Sequence, residues 1–255
     1  TTDPQEPAAA EAPSLAALAE PWLVPISPDT PAGVDARYER SHEAVRTEIA
    51  KLASITGKTV DWGIVIKEGD AVLRNRSKDL LIAAYLAWGL YLRDGLSGLA
   101  TGVALLCELM ERYWDGLFPA VRRNARARAN AIGWLIERTN ALVEIQPRPD
   151  DAEHLELLET GADRLRELVG ERFSEESPPD VRPLIDRVRR LRLSLPEVSA
   201  PAPVAAEPEE AAGAPPPTGQ TEASRQPDDT ERPAVEPKLP QQTPALAATA
   251  SGAEL

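Results

Sequence analysis

The chain has 255 residues, 41 acidic against 28 basic, and a formal net charge of −13. That balance argues against a general binder of nucleic acid or anionic membrane. The single cysteine, Cys107, excludes an internal disulfide and fits a reducing compartment.

No apolar run approaches the ~20 residues that span a bilayer. With no signal peptide visible, the expected location is cytoplasmic. Composition then divides the chain. Every aromatic residue lies between Trp22 and Phe173, whereas Pro196 onward holds twelve of the 25 prolines, ten acidic and three basic residues. Such a tail buries too little apolar surface to offset the entropy of ordering it. The expected organisation is a disordered N-terminus over 1–13, one helical domain over 14–195, and a disordered acidic Pro/Ala-rich linker or tail over 196–255.

In chain order, Tyr38, His42, Val45, Ile49 and Leu52 step by four and three and predict one stripe of an amphipathic helix. Asp35 is the candidate N-cap of that helix. Asp61 is placed to cap a second helix that starts at Trp62 and runs towards Arg76. Ser77 is the candidate cap of a third, with Asp79 in its first turn facing the positive end of the dipole. Over 80–92 apolar residues occur on every face, so this helix is expected at the centre, ended by Gly95 in a left-handed position. A fourth helix carries Leu99, Val103, Leu106 and Met110 and stops at Asp115-Gly116.

A fifth is predicted over 125–144, with Ala131, Trp134, Leu135, Arg138 and Leu142 on one side. Two more carry Leu155, Leu158, Ala162, Leu165 and Leu168, then Val181, Leu184, Ile185, Val188 and Leu191. Asp180 is the candidate cap of the last, and Pro183 is tolerated in its first turn. No alternating strand pattern competes. The expected fold class is all-α, about seven to nine helices arranged as a bundle or a short α-solenoid.

No catalytic constellation emerges. His42 and His154 have no Cys or His partner at metal-ligand spacing; His42 reads as a packing residue, and Cys107, in an apolar helical run, as a small core residue. Neither a phosphate-binding Gly-rich loop nor a Gly-x-Ser-x-Gly elbow is present. Gly95, Gly98 and Gly102 are spaced for close helix contact instead. No catalytic, cofactor-binding or metal-binding residue is therefore assigned, and no cofactor or small-molecule substrate is expected. The cluster at 122–128, RRNARAR, concentrates four arginines in an acidic chain. It reads as a solvated helix start with Arg128 turned inward, or as a protein-binding patch of Arg122, Arg123 and Arg126. Nucleic acid is a weaker alternative, since no aromatic is interleaved to stack on bases.

Several short signatures occur in order. Pro31-x-Gly33-x-Asp35-x-Arg37-Tyr38 comes first, then Asp61-Trp62, Ser77-Lys78-Asp79-Leu80, Tyr113-Trp114-Asp115, and Arg128-Ala129-Asn130-Ala131 with Trp134-Leu135. Together they resemble the N-terminal domain of the TssA proteins of bacterial type VI secretion, the ImpA N-terminal family. Ala36 and Leu81 stand where the family commonly has Leu and Arg. Trp114 and Trp134 are expected as large buried anchors. Asp79, Asp115, Arg128 and Asn130 are expected to hold helix ends and turns.

The resemblance implies a non-enzymatic cytoplasmic assembly protein that contacts baseplate, tube or sheath proteins and coordinates polymerisation of the contractile tail. Family members carry a C-terminal ring-forming region, so oligomerisation is expected mainly through a domain not seen in this sequence. Two alternatives remain at this level: a related sheath-terminating or membrane-anchoring protein of the same system, and an Arg-patch nucleic-acid-binding adaptor.

Overall fold

The computed structural model describes residues 14–54, 57–120, 125–173 and 178–196. All of them lie within the first of two compact units, Thr1–Ala202. Among these residues there are eight α-helices, and the only β-type pairing is two isolated bridges. The expected all-α class holds. The helices are α1 Leu15–Ala19, α2 Arg40–Ala50, α3 Trp62–Asn75, α4 Leu80–Asp94, α5 Leu96–Tyr113, α6 Arg126–Arg138, α7 Ala152–Arg172 and α8 Arg182–Leu193.

Helices α4 and α5 form the centre because their sequences leave no polar face. Fourteen of the 18 residues of α5 are buried. The two are joined by Gly95 at φ 67° and ψ −139°, a conformation that only glycine adopts readily. They can approach closely because Gly98 and Gly102 present no side chain: a Cβ at Gly98 would collide with the Leu90 carbonyl, and one at Gly102 with Ala87. From this pair the packing proceeds outward in order. Helix α3 lies on α4 and α2 on α3 on one side; α7 lies on α5 and α8 on α7 on the other. Short α1 adds to α5, and α6 to α4. The helices thus stack mostly on their sequence neighbours, with one continuous core.

Several helix starts differ from expectation. The cap position of α2 is Glu39, with no side-chain cap. Asp35 instead accepts from the backbone and guanidinium of Arg37 in an exposed turn. Tyr38, 89% exposed, and Leu52, 41% exposed, fall outside the packed stripe because α2 begins at Arg40 and ends at Ala50. Asp61 does cap α3, accepting from Ile64 N at 3.2 Å.

The fifth predicted helix is α6 only to Arg138; over Thr139–Glu144 it tightens into a 3₁₀ turn. Helix α8 takes Val181 as its cap, with Asp180 one position earlier, bonded to Arg182. The helix α1 and the turn Glu20–Trp22 carry no strong sequence period, yet they bury Ala19 and Trp22.

Candidate functional site

Residues 77–79, between α3 and α4, run extended and are clamped on both edges. On one side Lys78 N donates to Ala32 O at 2.7 Å and Val34 N to Arg76 O at 3.1 Å. On the other, Phe118 N donates to Lys78 O at 2.8 Å and Leu80 N to Phe118 O at 2.7 Å. Three segments far apart in sequence therefore meet at one backbone junction.

This pairing explains why Ser77 is not the cap of α4. Helical φ/ψ cannot begin while the backbone is held straight by both neighbours, so the cap passes to Asp79, whose Oδ1 accepts from Leu81 N and Ile82 N. Ser77 is fully buried, and its hydroxyl has no hydrogen-bond partner. Gly33 sits in the same clamp at φ 80°, where a Cβ would run into the Arg76 carbonyl oxygen.

Two buried cations saturate the carbonyls around this junction. Lys78 has no exposed surface, and its Nζ donates to Trp22 O at 2.6 Å and Leu73 O at 2.8 Å, with the Tyr113 ring 5.6 Å away. Burial, reinforced by the nearby Arg74 charge, pushes its pKa down to about 8. Tyr113 donates its hydroxyl proton to Leu23 O at 2.6 Å. The indole N–H of Trp22 donates to Asp70 at 2.9 Å. The turn Glu20–Trp22 is thus tied down by both α3 and α5.

Arg128, 1% exposed, turns inward from the first turn of α6. Its guanidinium donates to Trp114 O at 2.7 Å, Pro119 O at 2.9 Å and Leu117 O. It also lies 4.6 Å from the centre of the Trp114 ring. Only a planar fork of donors can reach three carbonyls at the open end of α5 at once.

Two further contacts link helices. His42 Nε2 lies 3.5 Å from Asp79 Oδ2, both side chains buried. Glu48, buried near the end of α2, accepts from Asp61 N at 2.8 Å and from Lys51, and these bonds hold its pKa below the usual carboxylate range. Sequence reasoning did not single out Glu48, because a glutamate inside an amphipathic helix carries no local sign of burial.

The remaining signature residues are less enclosed. Trp114 and Trp134 bury most of their surface against the core without being fully enclosed. Trp114 packs edge-on against Phe173 at 5.2 Å with Arg172 beside it, and Trp134 edge-on against Tyr85 at 4.7 Å. The Arg128 guanidinium lies over the Trp114 ring, and the Arg138 guanidinium over the Trp134 ring at 5.2 Å, each covering part of the aromatic face. Trp62 is half-buried on α3, near Gly89 of α4.

Asp115 and Asn130 are exposed; the Asp115 charge favours the Arg128 cation without a direct bond. Of the arginine cluster, Arg126 is exposed at the start of α6, and Arg122 and Arg123 lie outside the described residues. The Cys107 thiol donates to Gly161 O at 3.4 Å, and burial pushes its pKa far up, so it stays a thiol. Among the described residues no three His, Cys, Asp or Glu side chains gather to hold a metal. No helix among them is long and apolar enough to cross a membrane.

Residues 23–137, which contain this junction, match the family described as ImpA, N-terminal, type VI secretion system. A curated relative, the type VI secretion system component TssA1 of Pseudomonas aeruginosa, is 33% identical over 108 residues. That alignment covers 38% of this chain and 30% of the relative, so the chain spans under a third of that protein's length. Among solved structures, the N-terminal domain including the conserved ImpA_N region of the TssA component from Burkholderia cenocepacia superposes with a TM-score of 0.58. It is 22% identical and is covered over 95% of its length, against 74% of this chain, which is a likeness of fold. Over residues 23–137, 115 of its 255 residues, the chain is similar to the ImpA N-terminal family of type VI secretion components.

Proposed function

We propose that this domain is a non-enzymatic assembly and docking module of the type VI secretion contractile tail. In this reading it contacts baseplate, tube or sheath proteins in the cytoplasm and helps coordinate tail polymerisation. The observation that carries it is the family match across the junction. The buried polar groups there support it. Lys78 and Arg128 spend their donors on backbone carbonyls, and Asp79 spends its carboxylate on a helix start, so none faces an open site. The buried signature residues then build a rigid platform, and contact falls to the exposed surface.

Arg126, together with Arg122 and Arg123, contributes to that contact, because arginine pairs carboxylates and stacks on aromatics at interfaces. The test is direct binding of the full chain, immobilised on a biosensor, to purified baseplate, tube and sheath proteins. At least one should bind, and reversal of the three arginines to glutamate should weaken it without changing the thermal melt. Failure of every component to bind would sink the docking reading. Tight, salt-sensitive binding of duplex DNA instead would favour a nucleic-acid adaptor.

A further inference from the structure

The arginines of α8 are not equivalent. Arg189 pairs with Glu159 and Asp163 of α7, Arg192 with Glu159, and Arg182 with Asp180. Arg187 and Arg190 have no carboxylate ion pair among the described residues. Arg187 donates to Thr139 Oγ1 at 3.2 Å and to Asn140 Oδ1, and its buried Nε has no hydrogen-bond partner. Among the described residues Arg190 donates only to the Asp186 carbonyl, at 3.2 Å. Burial and the Arg190 charge hold Arg187 below the usual arginine pKa, and Asp186 opposes this only weakly.

Both arginines border a groove of about 560 Å³ whose apolar wall includes Leu142, Ile145 and Leu191. A second depression of about 290 Å³, reaching Tyr91 and Leu92, shares Ile145 and Gln146 with the first. The two adjoin at these residues to form a trough, whose second part also carries Arg148 and Asp151. Its α8 end combines an apolar wall with two arginines, which suits a linear segment carrying both apolar and acidic side chains better than a compact ligand.

We propose that this trough docks a linear acidic–apolar segment of a partner protein, with carboxylates on Arg187 and Arg190 and apolar side chains against Leu142, Ile145 and Leu191. The choice of partner rests on the docking function proposed above. An anion there supplies the counter-charge that α7 provides for Arg189 and Arg192 but not for these two. Arginine forks favour carboxylates held bidentately, and a desolvated cation gains more from one than an exposed cation does.

The test uses the full chain and short overlapping fluorescein-labelled peptides that tile the baseplate, tube and sheath proteins of the same system, read by fluorescence anisotropy. The tightest peptides should carry carboxylates beside apolar residues. Arg187→Gln with Arg190→Gln should weaken them by about tenfold or more, and Glu→Gln changes in the peptide should do the same. Arg190→Glu alone, at an exposed position, should weaken binding with an unchanged melt and so separate docking from folding. Unchanged binding by these variants, or best binding by peptides without carboxylates, overturns the inference. Capture of an intact component with no peptide bound also overturns it, placing docking elsewhere and leaving the broader function standing. If neither peptide nor component binds, both fall.

Discussion

The junction at residues 77–79 and the α7–α8 face use the same cationic side chains in opposite ways. At the junction, Arg128 and Lys78 are buried and face carbonyl oxygens. On α7 and α8, Arg164, Arg189 and Arg192 are partly exposed and face carboxylates across or along helices. A buried donor is bound to its acceptors, since removing it strands them out of water. An exposed ion pair exchanges one solvated arrangement for another and contributes little. The first region should therefore dominate stability, and the second should be free to serve recognition.

The sharpest way to break that contrast is Arg128→Ala. It should destabilise by roughly 3–5 kcal/mol in denaturant unfolding, because several buried carbonyls lose their donor together. Arg128→Lys should restore only part, since an ammonium cannot span the same three oxygens. A loss under about 1 kcal/mol would mean that water replaces the fork and that the junction is not cooperative.

Gly33→Ala comes next, at about 2–4 kcal/mol, from positive φ and the collision with the Arg76 carbonyl. Gly133→Ala on α6, where a Cβ meets nothing within 4 Å, should be neutral or stabilising by up to about 1 kcal/mol. Equal losses at both glycines would remove the special role of the clamp.

Lys78 gives the contrast a pH signature. Its folded pKa of about 8 lies below the ordinary 10.5, so between those values the unfolded chain holds more protons than the folded one. Stability attributable to Lys78 should then rise with pH through that window, by up to about 3 kcal/mol. The two carbonyls that accept from Nζ favour the ammonium and keep the rise below that ceiling. Cys107 and Tyr113, whose pKa values burial raises, act in the opposite direction at the alkaline end. The readout is therefore the difference between wild type and Lys78→Met in chemical denaturation across pH 7–10. Parallel pH profiles for the two proteins would refute it.

The smallest effect belongs to the surface. Glu159→Gln, which weakens the pairs to both Arg189 and Arg192, should cost less than about 1 kcal/mol and fade with salt. A loss as large as that of Arg128→Ala would erase the distinction between the two regions.

Local sequence determined what depends on neighbours three or four residues away. The unbroken apolar faces of α4 and α5, the Asp61 cap, Pro183 in the first turn of α8 and the small residues at Gly98 and Gly102 were all legible for that reason. The inward turn of Arg128 was legible only as one of two readings of its cluster. The junction was decided by tertiary structure alone. Lys78 looks like a solvated residue in any local window; its burial follows from the meeting of residues 32–34, 77–79 and 118. The same pairing moved the α4 cap from Ser77 to Asp79. The partial exposure of Trp114 and Trp134, and the lack of a carboxylate for Arg187 and Arg190 among the described residues, likewise depend on which helices lie opposite. Spacing along one chain fixes a helix and its apolar face, but which polar group is left without water, and what then satisfies it, is set by segments far apart in sequence.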